Sequence, residues 1–120
     1  MAIFQQFDVV KVPFPFTELP FTKRRPAVVL SNEKEFHLTG GEAKVVLGMI
    51  TSIKHKPWPL DTPLTGLKES GLSHDSLIRL KIFTLDASLV LGKIGKLTPK
   101  DIGAVRRNLD KLFALGASHA

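Results

Sequence analysis

A chain of 120 residues, 43% hydrophobic and 23% charged, is sized for one folded domain and is too apolar to be disordered throughout. Its 17 lysines and arginines against 11 acids leave a formal net charge of +6, which favours polyanionic partners without separating RNA from DNA, a membrane surface or an acidic protein. Cysteine is absent, which excludes disulfides, a thiol nucleophile and thiolate metal sites. No apolar run approaches the roughly 20 residues that span a bilayer. The start, MAIFQQFD, lacks the basic and apolar regions of a signal peptide, so the expected location is cytoplasmic. A small core also makes dimerisation a ready way to bury more apolar surface.

In chain order, a lead-in with Ile3, Phe4 and Phe7 suits the cover of a sheet edge, and Asp8–Val12 predicts the first strand. Pro13–Arg24 follows as a loop longer than most connections, which points to function. At its end lies the basic run Lys23, Arg24, Arg25, either a solvated charge run or an anion site at a strand mouth. Arg25 precedes Pro26, which pushes it toward extended backbone and fixes where its guanidinium points. Ala27–Ser31 is a continuous apolar run that suits a strand buried on both faces. Asn32–Gly41 is polar, closes on the turn signal Gly40-Gly41, and holds His37, which reads as a bystander.

Lys44–Ile53 predicts a central strand ending in two hydroxyls, Thr51 and Ser52. Such hydroxyls either bond to nearby backbone or hold a phosphate oxygen. The next segment interleaves Lys54, His55 and Lys56 with Trp58. Cations for a backbone and a flat face for a base are what single-stranded nucleic acid uses, although Trp58 between two prolines also suits a loop plug. Gly66–Ser73 is a turn region. Asp75–Leu80 alternates as a strand, with Leu77 and Arg79 on one face and Ile78 and Leu80 on the other. Arg79 there serves either a site or an internal ion pair. Asp86–Leu91 predicts a short helix capped by Asp86, and Gly92–Leu97 a final strand. Thr98–Leu115 predicts the main helix, with Thr98 as cap, Pro99 first and Asp101 third. Ile102, Val105, Leu109, Leu112 and Phe113 form its core-facing stripe, Arg106 and Arg107 lie off it, and Gly116 ends it.

Three stretches carry a likeness: DVVKVPFPFTELPFTKRRPAVVLS over Asp8–Ser31, VLGMITS ending at Ser52, and Arg79 followed by FTLD at Phe83–Asp86. Together they resemble the PemK/MazF family, the toxin halves of bacterial toxin–antitoxin pairs, over nearly the whole chain. The resemblance implies a single mainly β (α+β) domain, a small SH3-like antiparallel barrel with a C-terminal amphipathic helix, as in PemK/MazF and CcdB toxins. It also implies a homodimer, a groove for single-stranded RNA, and an antitoxin whose acidic flexible tail occupies that groove. Carried over, it makes Arg25, Thr51, Ser52 and Arg79 the catalytic set. Lys23, Arg24, Lys54, His55, Lys56, Trp58 and Lys81 are then expected RNA contacts. The chain departs from the pattern at Lys81, where several relatives have an acid two residues after the arginine, so no general base is assigned; His74 and Asp75 are nearby in sequence, but strand alternation does not require either to point at the site.

The sequence holds no Gly-rich phosphate loop, no H-E-x-x-H and no carboxylates paired at a fixed spacing, so no metal or cofactor is expected. Cleavage without metal suits RNA, whose own 2′-hydroxyl can attack the adjacent phosphate. Arg25 and Arg79 would then hold the phosphate and stabilise phosphoryl charge, with one of them a candidate to protonate the leaving oxygen, while Thr51 and Ser52 position phosphate or ribose. Two other readings compete. Lys81 keeps open an RNA-binding relative without catalysis. CcdB toxins, similar in fold, poison gyrase through a tryptophan near the C-terminus, whereas the one tryptophan here is Trp58.

Overall fold

Valine, leucine and isoleucine runs place the strands, because such chains pack well on a pleated surface. In the computed structural model, which describes residues 4–14, 23–36 and 43–116, they form β1 (Asp8–Phe14), β2 (Lys23–Val29), β3 (Lys44–Ser52), β4 (Thr62–Pro63), β5 (Ser76–Asp86) and β6 (Gly92–Lys96). A helix, α1 (Pro99–Phe113), follows. Every pairing is antiparallel and the strand order is β4-β5-β3-β2-β1-β6. The expected small antiparallel barrel with a C-terminal helix is therefore present as a six-stranded curled half-barrel, open between β4 and β6. Ile3, residues 15–22, His37 and the Gly40-Gly41 turn lie outside the described residues.

Alternation sorts the side chains onto two apolar faces. Val9, Val28, Ile50 and Ile78 pack with Phe7, Leu97 and Val105 of α1 on one face. Val10, Val12, Ala27, Val29, Val45, Leu47 and Leu85 form a second cluster on the other face, with Phe4 and Phe83 against it. Ala27, Val28 and Val29 are fully buried, so the continuous apolar run does face core on both sides. Phe7 reaches the first cluster through a left-handed backbone (φ 71°), its amide donating to the Val29 carbonyl and its carbonyl accepting from the Leu97 amide.

Several boundaries differ from the sequence reading. β2 begins at Lys23, because Lys23, Arg24 and Arg25 pair with Phe14, Pro13 and Val12 of β1. β5 runs eleven residues, through Lys81, to Asp86. Opposite it, Gly48 and Met49 are neighbours on β3, yet they pair with Ile82 and Arg79. Leu80 and Lys81 thus form a bulge of two residues, and an even insertion leaves each side chain on its own face. The helix expected over Asp86–Leu91 is only a 3₁₀ turn, Ala87–Leu89, and Asp86 does not cap it. Its carboxylate pairs instead with Lys44, its partner across the ladder.

At α1 the expected cap holds: the Asp101 amide donates to Thr98 Oγ1, with Pro99 at the first position. The end differs, since Ala114 takes the left-handed conformation (φ 54°) and closes the helix before Gly116. Ile102, Val105 and Leu109 pack on the first cluster, but Leu112 and Phe113 are exposed because the helix runs past the core. The Asp101 carboxylate, buried at the helix start, accepts hydrogen bonds from the amides of Thr65 and Gly66 and from Thr65 Oγ1 (2.7 Å). These bonds tie the β4–β5 connection to the helix. Burial alone would raise this carboxyl, but the bonds from Gly66, Thr65 and Thr98 outweigh it and hold the group below its ordinary value. No helix among the described residues is long and apolar enough to cross a membrane.

Candidate active site

The face away from α1 carries the candidate site. Arg25 on β2, Met49 and Thr51 on β3, and Arg79 and Lys81 on β5 share the parity of the second apolar cluster. Ala27 pairs with Met49, and continuing that register two residues sets Arg25 opposite Thr51. Met49 pairs in turn with Arg79. Three strands therefore deliver the two arginines and the threonine to one patch, just beyond the end of the buried valines.

Two hollows meet there. One, of about 210 Å³, is lined by Phe14, Arg25, Thr51, His55, Trp58, Arg79 and Lys81, above Met49 and Ile50. The other, of about 450 Å³, is lined by Arg25, Pro26, Thr51, Ser52, Ile53, Lys54, His74, Asp75 and Ser76, again with Ile50. Arg25 and Thr51 belong to both. Arg25 is half-buried, and its Nε is buried with no hydrogen-bond partner among the described residues. An unpaired buried donor is costly, so this nitrogen is poised for an acceptor. The Thr51 hydroxyl makes no hydrogen bond within the described residues either. Ser52 differs, because its Oγ accepts from the Lys54 amide (3.2 Å) and helps to form the turn after β3.

Arg79 is the more tightly engaged arginine. Its Nε lies 3.3 Å from Asp61 Oδ1 and its Nη2 3.0 Å from Asp61 Oδ2, and Nη2 also donates to the Lys56 carbonyl at 2.8 Å. Both partners of this ion pair are only 11% exposed. The guanidinium carbon stands 5.1 Å from the centroid of the Trp58 ring, within cation–π range. Asp61 also accepts from the Trp58 amide (2.8 Å), so one carboxylate folds the loop onto the arginine. That loop is held from beneath as well: Asn108 of α1 donates to the Leu60 carbonyl and to Thr62 Oγ1 (2.7 Å). Leu60 adopts a left-handed φ of 63°, strain that these anchors maintain. Trp58 is thus neither a buried plug nor free, with one side against Arg79 and 45% of its surface exposed. On the opposite wall Lys81 Nζ stands 5.4 Å from the Phe14 ring, so each aromatic of the hollow is backed by a cation.

Of the residues singled out in the sequence, Arg25, Thr51, Ser52, Lys54, His55, Trp58, Arg79 and Lys81 come together around these hollows. Lys23, Arg24 and Lys56 are exposed nearby and line neither. Phe14 and Asp61 are additions, and His74 and Asp75, close to Lys81 in sequence, line the larger hollow. Phe14 could be found by counting two residues along β1 from Val12, whereas nothing local marks Asp61. Among the described residues no group of three or more histidines and acids is arranged to hold a metal ion.

The family described as PemK-like, MazF-like toxin of type II toxin–antitoxin system matches residues 5–113. Solved structures with the same fold include the MazE–MazF complex of Deinococcus radiodurans, at 21% identity and a TM-score of 0.71 over 94% of this chain and 98% of that one. An endoribonuclease in complex with its cognate antitoxin from a mycobacterial species aligns at 17% identity and a TM-score of 0.69, covering 95% and 96%. The Mycobacterium tuberculosis toxin MazF-mt6 aligns at 20% identity and a TM-score of 0.65, covering 89% and 96%. No curated protein matches the sequence.

Proposed function

The chain belongs to the PemK-like, MazF-like toxins of type II toxin–antitoxin systems, and from that premise we propose that it is a sequence-specific endoribonuclease that cuts single-stranded mRNA without a metal ion. The observation that carries this reading is Arg25, whose buried Nε has no partner among the described residues while its side chain lies between two hollows beside Thr51. A guanidinium so placed suits a phosphate oxygen, because it stays charged and donates in a planar fork.

In this mechanism the scissile phosphate lies over Arg25 and Thr51. The 2′-hydroxyl of the preceding ribose attacks phosphorus, the bond to the 5′-oxygen breaks, and charge on the phosphoryl oxygens is met by Arg25. The products are a 2′,3′-cyclic phosphate (or 3′-phosphate) and a 5′-hydroxyl end. Ser52 holds the turn that leads from Thr51 to the basic loop. Arg79 adds positive field, but Asp61 and the Lys56 carbonyl hold its Nε and Nη2, so it backs Trp58 as well as facing the site. Trp58 and Phe14 offer ring faces for bases, and Lys23, Arg24, Lys54, His55, Lys56 and Lys81 supply charge along the strand. The complexes of relatives with antitoxins support an antitoxin as partner; an acidic flexible tail would complement this basic face, and we assign the working form to a homodimer in the cytoplasm.

The test is cleavage of a long single-stranded RNA in EDTA, beside Arg25→Ala, with both ends of each product mapped. Site-specific cuts with 5′-hydroxyl ends, abolished in the variant and blocked by a 2′-deoxy nucleotide at the cut, are expected. Intact RNA from folded wild-type protein would refute the proposal. A binding-only protein is the second reading, favoured by Lys81 standing where several relatives have an acid. It requires RNA binding that weakens with salt and no cleavage.

A further inference from the structure

Cleavage by a 2′-hydroxyl moves two protons, one off the attacking oxygen and one onto the leaving oxygen, and these oxygens lie on opposite sides of phosphorus. Arginine is a poor agent for either transfer, since it stays protonated at any physiological pH. Lys81, at the position where several relatives have an acid, is a donor only while charged. Histidine is the side chain whose ordinary range suits both giving and taking a proton near neutrality. The chain has four histidines, and two of them line the hollows at the site: His55 the smaller and His74 the larger.

Their placement is specific. The hollows share Arg25 and Thr51, so the two imidazoles stand on the walls of two spaces that meet at the proposed phosphate position. Both are fixed by turns at one end of the β3–β5 ladder, where Ser52 pairs with Ser76. The His55 amide donates to the Ser52 carbonyl (3.3 Å), and Ser76 Oγ donates to the His74 carbonyl (2.8 Å). Ser73 Oγ lies 2.9 Å from His74 Nδ1, which leaves Nε2 without a hydrogen-bond partner among the described residues. Around His55 the charged groups are Arg25, Arg79 and Lys81 on the hollow wall with Lys54 and Lys56 in its own loop; around His74 they are Arg25, Lys54 and Asp75.

We propose that His55 and His74 are the general acid–base pair of the reaction, on either side of the phosphate held by Arg25 and Thr51. The inference rests on the endoribonuclease reading above. One imidazole takes the 2′-hydroxyl proton as the 2′-oxygen–phosphorus bond forms. The other gives its proton to the 5′-oxygen as the phosphorus–oxygen bond breaks. Hydrolysis of the cyclic phosphate then returns both to their starting forms.

The experiment measures single-turnover cleavage across pH 5–9 for wild type, His55→Ala and His74→Ala, on ordinary RNA and on RNA with sulfur in place of the 5′-bridging oxygen at the cut. Each variant should lose about 10²–10⁴-fold in rate, and each should lose one limb of a bell-shaped profile. Sulfur leaves without needing a proton, so it should restore the variant lacking the acid and not the variant lacking the base. Glutamine at either position, which keeps the size and a hydrogen bond, replaces alanine should the melting temperature fall. Wild-type rates in the variants, an unchanged pH profile, or rescue of both variants or neither would overturn the pair while leaving the nuclease reading intact. A wild-type protein that leaves RNA uncut would overturn both.

Discussion

Replacing Asp61 by alanine tests the frame that holds the site loop. The substitution removes the acceptor of two Arg79 nitrogens, at 3.3 and 3.0 Å, and of the Trp58 amide at 2.8 Å. Removing one partner of a buried ion pair costs about 3–5 kcal/mol, chiefly because the other charge is left unpaired. The guanidinium here keeps the Lys56 carbonyl and the Trp58 face, and the Trp58 amide bond is exposed to water, so the cost falls to the lower end of that range or just beneath it. We expect a loss of about 2–3 kcal/mol, which at a slope of about 1.5 kcal/mol/M lowers the urea midpoint by roughly 1–2 M. Because Trp58 is the only tryptophan, its emission reports the same event directly: released from Arg79, it should shift toward the red before global unfolding. Asp61→Asn should fall between wild type and alanine, since it can still accept from the Trp58 amide. An unchanged midpoint together with unchanged emission in Asp61→Ala would refute the reasoning.

Asp101→Ala should cost about 3–4 kcal/mol in urea unfolding at pH 7, since it strips acceptors from two backbone amides and a hydroxyl around a buried carboxylate. The folded-state carboxyl is held below its ordinary value, so its contribution is complete above the unfolded value near 4 and fades as pH falls through the folded one. The gap between variant and wild type, followed by denaturation from pH 7 down to pH 2.5, should narrow only in the acid arm. Gly95→Ala on β6 would drive a Cβ into the backbone of Glu69 and Ser70, and a melting experiment should show a loss of about 1–3 kcal/mol.

The strand interiors were readable because their residues are β-branched and apolar over the length of a strand, as in Ala27–Val29 and Val45–Leu47. Their ends were not. Lys23, Arg24 and Arg25 join β2 through ladder bonds to β1, a pairing that no property of the three residues announces. β4 has two residues, one of them proline, too short for any periodicity to register. Asp86 has the chemistry of a cap but meets Lys44 across the sheet, and that competition is settled only in three dimensions. At the site, Arg25, Thr51 and Arg79 were accessible through family resemblance, and their shared face follows from alternation. The partners were beyond reach. Asp61 is 18 residues from Arg79, and the nearness of His74 to Lys81 in sequence did not tell that it shares a hollow with Arg25, whose walls come from separate strands.

The two-residue bulge in β5 sets a rule for how this strand can vary. The segment before it, Ser76–Arg79, faces the site and the β4 edge; the segment after it, Ile82–Asp86, serves the apolar clusters and the ladder to the start of β3. Removing both Leu80 and Lys81 would shorten the strand and leave every other residue facing as before. Removing one would turn the whole segment beyond it inside out, exchanging Phe83 and Leu85 for Thr84 and Asp86 in the second cluster. Length changes in β5 are therefore admissible in pairs, and the chain can lengthen or trim the rim of its site there without rewriting the interior.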